Sequence, residues 1–183
     1  MRIAIDIDST LHNYWDQFAE VAQQRHGIDL PYADQHTWGV HELEPEQVRA
    51  LVAETHGEDY VASAVPYPGA VEAVTRWHEA GHWIHVTSHR STLAHDVTAQ
   101  WLQAHAIPYD DLYCSYDKIT RCVELGIDLL VDDSPVNIER ATERGIAVAT
   151  LRHPWNREAC DAGTVICADD WFELDGKLRQ VGV

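Results

Sequence analysis

Two pairs of aspartates are the side chains of this sequence best suited to chemistry. Asp6 and Asp8 end an apolar run near the N-terminus, and Asp132 and Asp133 end another. Because the carboxyl ends of parallel strands open into the crevice where such sheets bind ligands, we expect the four carboxylates to converge. They would repel one another unless a cation lay among them, and oxygen ligands of this kind favour Mg²⁺. The pattern therefore predicts a magnesium site.

A magnesium ion at this position would neutralise a phosphate group and let a carboxylate approach it. One carboxylate could attack phosphorus and form an aspartyl-phosphate, while a second, two residues along, protonates the leaving oxygen and later deprotonates water. Thr87 and Ser88, at the end of another apolar run, could hold a phosphoryl oxygen. Lys118, at the start of a helical pattern, could balance the charge that develops on phosphorus. These residues together predict phosphoryl transfer.

Alternating strand and helix patterns predict the fold that would bring these residues together. The strand-like runs are residues 3–7, 82–87, 128–131 and 146–151, with a further short run at 112–115. Helical patterns between the later runs cover residues 69–80, 92–105, 118–125 and 135–144. Gly81, Gly126 and Gly145 stand where helices should end. Helices between strands predict an α/β fold, a doubly wound (Rossmann-like) parallel sheet.

The stretch of residues 11–66 breaks this alternation. Leu11, Trp15, Phe18 and Ala22 recur at helical spacing, and a second helical pattern opens at Glu44. Nothing strand-like separates the two patterns. We therefore predict a core domain of residues 1–10 and 67–183, with a small helical cap of residues 11–66 inserted after the first strand.

Charge and composition narrow the classes of partner. The chain has 13 Lys and Arg against 30 Asp and Glu, a formal net charge of -17, so a nucleic acid polymer is a poor partner. A small phosphate ester stays possible wherever a cation has been placed. There is no run of eighteen apolar residues and no signal-peptide pattern, so we expect no membrane partner and a cytoplasmic location. The oligomeric state is left open.

Cysteines and histidines give weaker signals. The four cysteines have no C-x-x-C spacing, so we expect reduced thiols rather than a zinc site or a disulfide; they are Cys114, Cys122, Cys160 and Cys167. The twelve histidines are scattered without a metal-binding pair, and we expect most of them at the surface or at helix ends.

The four chemical segments resemble the four motifs of the haloacid dehalogenase (HAD) superfamily. The segment Asp6–Thr10 resembles its D-x-D-x-T motif, the strand ending in Thr87 its second motif, Lys118 its third, and the Asp132–Asp133 pair its fourth. Ser9 departs from the pattern, because many members have glycine at that position. The resemblance implies a magnesium-dependent phosphomonoester hydrolase.

The resemblance also implies a role for each residue. Asp6 is implied as nucleophile and metal ligand, and Asp8 as general acid and base with its backbone carbonyl on magnesium. Thr87, Ser88 and Lys118 are implied as phosphate-binding residues. Asp133 is implied as a direct metal ligand, and Asp132 as a ligand through water.

Within the superfamily, the layout is similar to the 5'(3')-deoxyribonucleotidase branch, which has a short helical cap. That branch implies a nucleoside monophosphate as the substrate, selected by the cap. Tyr14 and Trp38 are candidate contacts because aromatic faces stack on any base, and Arg90 is a further candidate. Trp15 lies on an apolar stripe and is expected in the core. The segment 153–157 also resembles related nucleotidases, although by itself it predicts a Pro-led turn with a buried Trp.

Two other functions fit the same residues. One is a HAD phosphatase of another small metabolite, such as a sugar phosphate. The other is a catalytically silent HAD-like binding module. The joint presence of Asp6, Asp8, Lys118 and Asp133 argues against a silent module, which would have no need for all four.

Overall fold

The computed structural model describes residues 1–183, which form one sheet of six parallel strands. The strands are β1 (Arg2–Ile5), β2 (Trp83–Ser88), β3 (Asp111–Cys114), β4 (Leu129–Val131), β5 (Ala147–Leu151) and β6 (Ile166–Ala168). Their spatial order is β3-β2-β1-β4-β5-β6, and every neighbouring pair is parallel. The order reverses at β1, so a crevice opens between the carboxyl ends of β1 and β4. The predicted doubly wound parallel sheet is confirmed, whereas β6 was not predicted.

Helices connect all the strands. They are α1 (Tyr14–His26), α2 (Pro45–Thr55), α3 (Glu58–Ser63), α4 (Ala70–Glu79), α5 (His95–Ala104), α6 (Lys118–Leu125), α7 (Pro135–Glu143), α8 (Arg157–Asp161) and α9 (Trp171–Gln180). Short 3-10 helices cover Tyr32–Asp34, Thr92–Ala94 and Pro154–Asn156. The predicted segments correspond to α4 through α7. Gly126 ends α6 with a φ of 62°, in the left-handed region that favours glycine.

The core has a layer of helices on each face of the sheet. Successive residues of a strand point to opposite faces, so Ile3 and Ile5 join one apolar cluster and Ala4 joins another. The first cluster packs β1 against α4, α5 and α9, with Trp77 and Trp171 among its largest buried members. The second packs the opposite face against α6 and α7. Helices thus pack on both faces of the sheet whose strand ends border the crevice.

Residues 11–66 are helical, as predicted, with α1 through α3 and one 3-10 helix between β1 and β2. A third apolar cluster joins α1 and α2 through Trp15, Phe18 and Leu51, and Trp155 of the segment after β5 completes it. Trp15 is buried in this cluster. The division into a core domain and a separate cap domain stays a prediction.

Two of the four cysteines form a disulfide, so the expectation of four reduced thiols is wrong. Cys160 at the end of α8 and Cys167 in β6 are bonded, with their Cα atoms 5.4 Å apart. The turn between α8 and β6 brings them together, and this contact could not be predicted without β6. Cys114 and Cys122 are free and buried, as expected. None of the helices has the length and apolar character that crossing a membrane requires.

Candidate active site

Three carboxylates meet at the crevice between β1 and β4. Asp6 follows β1, and Asp132 and Asp133 follow β4; the Asp6 backbone N–H donates to Val131 O at 2.8 Å, which fixes the two strand ends side by side. One oxygen from each of the three aspartates lies within 4.8 Å of the others, and all three residues are buried. The predicted convergence is therefore present for these three side chains.

Lys118, the first residue of α6, is the cation placed among them. Its Nζ lies 2.6 Å from Asp6 Oδ1 and 2.8 Å from Asp132 Oδ2. Burial by itself would lower the pKa of Lys118, but attraction to Asp132 and Asp6 raises it above its ordinary value. The lysine is therefore charged, and it balances only one of the three carboxylates.

The remaining negative charge is unfavourable in the protein alone. Burial, opposed by Lys118, raises the pKa of Asp6 to about 7. Burial and repulsion from Asp6 also raise the pKa of Asp133 well above its ordinary value. A divalent cation would remove this penalty, and a set of three buried carboxylates suits a hard ion such as Mg²⁺. The donor set therefore fits the predicted metal.

Asp132 and Asp133 differ in how fully the protein satisfies them. Asp132 accepts from Lys118 Nζ, from Ser134 N at 2.9 Å and from Asn137 Nδ2 at 3.2 Å. Asp133 accepts from Trp155 Nε1 at 3.0 Å, with a longer contact of 3.4 Å from the Thr10 hydroxyl. Asp133 thus keeps more capacity for a metal ion than Asp132.

The two hydroxyls at the end of β2 have different surroundings. Thr87 Oγ1 is buried and has no hydrogen-bond partner. Ser88 Oγ donates to Asp8 Oδ2 at 3.3 Å. A buried hydroxyl without a partner is costly. Neither Thr87 nor Ser88 lines the cavity beside helices α1 and α2, so their phosphate-binding role stays a prediction.

Asp8 is held by a buried arginine. Arg90 Nη2 lies 2.6 Å from Asp8 Oδ1, and Arg90 Nε lies 3.2 Å from Oδ2. Two histidines reach the same carboxylate: His12 Nε2 is 3.0 Å from Oδ1, and His56 Nε2 is 3.4 Å from Oδ2. Burial by itself would raise the pKa of Asp8, but Arg90 and then His56 hold it well below its usual range. Asp8 is therefore ionised in this structure.

Arg90 does not lie on the wall of the cavity, which differs from the expected contact with substrate. Its side chain is 1% exposed, and its guanidinium also donates to Thr98 Oγ1 at 3.2 Å. It is a partner of Asp8 instead. His12 and His56 were not predicted; only the four-residue spacing between Asp8 and His12 signalled the first. Most histidines are at least partly exposed, as expected, and the exceptions are His12, His85 and His153, which are buried.

A cavity of about 300 Å³ lies between this acidic cluster and helices α1 and α2. Its polar end includes Asp6, Asp8, Lys118 and Asp133, and its other walls are largely aromatic and aliphatic, with Tyr14, Trp15, Phe18, Trp38, Val48, Val52 and Trp155. The Tyr14 hydroxyl lies 2.7 Å from Thr55 Oγ1. Trp38 is 46% exposed, and its ring lies 6.3 Å from that of Trp155. The structure thus places Tyr14 and Trp38 on the cavity wall.

The segment after β5 supports the site from a third side. It is a Pro-led 3-10 turn with a buried Trp155, as predicted, and the His153 ring stacks on Trp155 at 4.5 Å. His153 Nε2 lies 2.8 Å from Ser9 O, and its Nδ1 lies 2.8 Å from the Tyr32 hydroxyl. Burial lowers the pKa of His153 to about 4. The neutral ring therefore donates to Ser9 O and accepts from Tyr32.

Ser9 stands in the turn that directly follows the Asp6–Asp8 segment. Its φ is 59°, in the left-handed region that residues other than glycine rarely adopt. This backbone conformation gives a physical reason for glycine at the corresponding position of many HAD proteins. The hydrogen bond from His153 holds the serine in this turn.

A family model described as 5' nucleotidase, deoxy (pyrimidine), cytosolic type C protein matches residues 1–179. The chain belongs to this family. It is 25% identical to a provisionally named nucleotidase of Oceanobacillus iheyensis, over 97% of this chain and 100% of that protein. It is also 27% identical to a provisionally named 5'(3')-deoxyribonucleotidase of Chlorobaculum tepidum, over 85% of this chain and 80% of that protein.

Solved structures show the same fold. A HAD family hydrolase of Deinococcus radiodurans, with bound phosphate and sodium, superposes with a TM-score of 0.73 at 16% identity, over 99% of this chain and 96% of that one. A haloacid dehalogenase-like hydrolase of Streptococcus pneumoniae gives a TM-score of 0.71 at 14% identity, over 97% of both chains. These structures share the HAD-like fold, and membership of the nucleotidase family makes the protein an enzyme of the phosphatase class.

Proposed function

We propose that this protein hydrolyses (deoxy)ribonucleoside 5'-monophosphates in a magnesium-dependent reaction through an aspartyl-phosphate on Asp6. One observation carries the proposal: a cluster of three buried carboxylates has Lys118 as its only charged partner, and two of them, Asp6 and Asp133, line the same cavity as a largely aromatic wall. The first part of this arrangement suits a metal ion and a phosphate group, and the second suits a base. Membership of the nucleotidase family supports the same substrate class.

The metal would be held by Asp6, Asp133 and the backbone carbonyl of Asp8, with Asp132 acting through water. When bound, it supplies positive charge that neutralises the phosphate. Lys118 adds a second positive charge beside Asp6, and the free hydroxyl of Thr87 would donate to a phosphoryl oxygen. These groups would lower the repulsion between the carboxylate nucleophile and the phosphate.

In the first chemical step, an Asp6 oxygen forms a bond to phosphorus while the bond from phosphorus to the ester oxygen breaks. The leaving oxygen takes its proton from the Asp8 carboxyl group. In the second step, a water molecule attacks phosphorus, Asp8 takes the proton of that water, and inorganic phosphate leaves Asp6. The ionised Asp8 of this structure is ready for the second step, and it must gain a proton before the first.

Residues 11–66 are proposed to form a cap that closes over the site and selects the substrate. They supply Tyr14 and Trp38 to the cavity wall, and His56, at the end of α2, reaches Asp8. A closed cap would exclude bulk water from the reacting groups. Because the cap contacts both the base-sized cavity and the acid–base residue, it can couple substrate fit to chemistry.

The proposal is tested by measuring phosphate release from a panel of nucleoside monophosphates, sugar phosphates and p-nitrophenyl phosphate, with magnesium and with excess chelator. Nucleotides should have the highest kcat/KM, and chelator should abolish turnover. Asp6→Asn should remove nearly all activity because an amide cannot form the acyl-phosphate. Asp29→Asn, at an exposed position, is the control. A sugar phosphate hydrolysed better than every nucleotide would refute the substrate class.

A further inference from the structure

Gln35 has an amide group whose orientation is fixed by the protein. The residue follows the 3-10 helix Tyr32–Asp34 and is 6% exposed. Its Nε2 donates to Thr37 O at 2.6 Å and to Gly39 O at 3.0 Å. Both partners are backbone carbonyls, which can only accept, so the nitrogen and oxygen of this amide cannot be exchanged. Oε1 must therefore point away from these two carbonyls.

The oxygen of this amide is left for a ligand. Oε1 accepts no hydrogen bond from the protein. It is not fully buried, so solvent or a ligand can reach it. Gln35 and Trp38 both line the cavity, and Asp6 and Asp133 of the acidic cluster line its polar end. A lone acceptor in largely apolar surroundings favours a ligand that brings a donor. Both amide hydrogens are already used, so Gln35 cannot donate in return.

We propose that Gln35 is a specificity-determining residue that accepts a hydrogen bond from an N–H or NH₂ group of the substrate's base. This inference rests on the proposed nucleotidase function. It adds that the protein supplies the hydrogen-bond acceptor and the base supplies the donor. Aromatic walls tolerate any base, because every base has a face that stacks. A fixed acceptor discriminates, since a base edge without a donor would leave Oε1 unpaired on binding.

Pairs of substrates that differ in one donor test this directly. Adenosine 5'-monophosphate is compared with purine riboside 5'-monophosphate, cytidine 5'-monophosphate with the 2-pyrimidinone analogue, and uridine 5'-monophosphate with its N3-methyl derivative. In at least one pair, the wild-type enzyme should prefer the donor-bearing member about three- to tenfold in kcat/KM, the worth of one neutral hydrogen bond. Gln35→Met should bring that ratio close to one.

Gln17→Met is the matched control. Gln17 is also a glutamine of the helical segment, and its Nε2 donates to Tyr60 O at 3.0 Å, but it does not line the cavity. This variant should keep the wild-type ratio. If Gln35→Met fails to fold, the wild-type ratios still decide. Equal rates within every pair, with nucleotides well hydrolysed, overturn the role of Gln35 alone. Absence of nucleotide hydrolysis, with p-nitrophenyl phosphate still hydrolysed, overturns the proposed function and this inference with it.

Discussion

The polar atoms of the site differ in whether protein partners satisfy them. The carboxylate of Asp132 accepts hydrogen bonds from Lys118, Ser134 and Asn137. Thr87 Oγ1 is equally buried and accepts none. Satisfied groups stabilise the fold, whereas unsatisfied ones cost stability until a ligand binds. Substitutions of the two kinds should therefore separate stability from activity.

Thr87→Val should lower activity without lowering stability. Valine has nearly the same shape, and the substitution removes a hydroxyl that bonds to nothing in the protein. The melting temperature should stay the same or rise slightly. The kcat/KM for phosphate esters should fall about ten- to a hundredfold, the worth of a hydrogen bond to a charged group. Thermal unfolding and steady-state kinetics on one preparation check both parts. Unchanged kinetics would remove Thr87 from the phosphate site.

Asp8→Asn should affect the two chemical steps differently according to the leaving group. A nucleoside oxygen needs a proton to leave, so nucleotide hydrolysis should slow about 10²–10⁴-fold. p-Nitrophenolate leaves without help, so the first step with that ester should persist. The second step lacks its base, and stopped-flow absorbance should show a burst of p-nitrophenol equal to the enzyme concentration. A slow first step without a burst would contradict the assignment of Asp8 as the acid and base.

From chemical type and strand position, the sequence predicted that Asp6, Asp132, Asp133 and Lys118 would lie close together, which the structure shows. It did not predict the buried contacts around Asp8. His12 carries only a four-residue spacing, and Arg90 and His56 reach Asp8 from β2 and α2. Contacts between distant segments leave no local pattern in a sequence. Arg90 was therefore expected at the substrate, whereas it is paired with Asp8.

Two elements outside the sheet reach the site, the helical segment of residues 11–66 and the turn after β5. They meet where the Tyr32 hydroxyl bonds to His153, and where Trp15 packs against Trp155 at 5.5 Å. The turn also contacts Asp133 through Trp155 Nε1. The helical segment is thus anchored to a residue of the acidic cluster through one turn of chain.

Trp38→Ala should weaken selection among nucleotides. Trp38 lies on the cavity wall and is 46% exposed, so its loss should disturb the fold little. Loss of one stacking contact should cost about 1–3 kcal/mol in transition-state binding of nucleotides. p-Nitrophenyl phosphate should change far less because it has no base. The ratio of the two kcat/KM values is the measurement. Phe172→Ala, another exposed aromatic, is the control. An unchanged ratio would place selectivity elsewhere.

His153→Gln should reduce the loss of stability in mild acid. The pKa of His153 is about 4 in the folded protein and 6.5 in an unfolded chain, so only the unfolded state is protonated between these values. Folding stability therefore falls as pH drops from 6.5 towards 4, by at most about 1.4 kcal/mol per pH unit. Glutamine can bond to Ser9 and Tyr32 without titrating. Denaturant unfolding at several pH values gives the slope of the unfolding free energy against pH for the wild type and for the variant. Equal slopes would contradict the prediction.

The strands and helices that the sequence predicted are those that lie in its clear alternation of strand and helix patterns. Strands β1 through β5 and helices α4 through α7 have clear apolar patterns, and a glycine stands just after α4, α6 and α7. β6 has only three residues, and β5 is the only strand with which it pairs. The Cys160–Cys167 disulfide was missed with β6, because Cys167 lies in that strand. Helix α9, which packs against β6, was not predicted either. A short edge strand takes its conformation from pairing, which a single sequence does not show.

Across the whole molecule, charge works against an anionic substrate. The formal net charge is -17, and the acidic cluster places three carboxylates beside one lysine. A phosphate ester would meet repulsion everywhere except where cations are placed. Magnesium binding therefore serves two purposes in the proposed function: it attracts the phosphate, and it relieves the repulsion within the folded protein.

The two purposes can be separated with Asp133→Asn. In the metal-free protein at pH 8, this substitution removes a buried carboxylate whose raised pKa reports an unfavourable charge. It should therefore raise the melting temperature by a few degrees, since each kcal/mol is worth roughly 2–4 °C in a chain of this size. Wild-type protein should be stabilised by added magnesium, because a ligand that binds only the folded state raises stability with its concentration.

The variant should lose that stabilisation together with its activity, so its melting temperature should be higher without magnesium and less responsive to it. Differential scanning fluorimetry across a magnesium titration measures the melting temperature without magnesium and its rise as magnesium is added. Calcium is the comparison ion, and Asp29→Asn is the exposed control. The Asp133 carboxylate destabilises the metal-free wild-type protein more as the pH rises. The melting-temperature difference between the metal-free variant and the wild type should therefore be smaller at pH 5 than at pH 8. A variant that is less stable without metal, or that keeps the full magnesium response, would show that Asp133 holds the fold together rather than the ion.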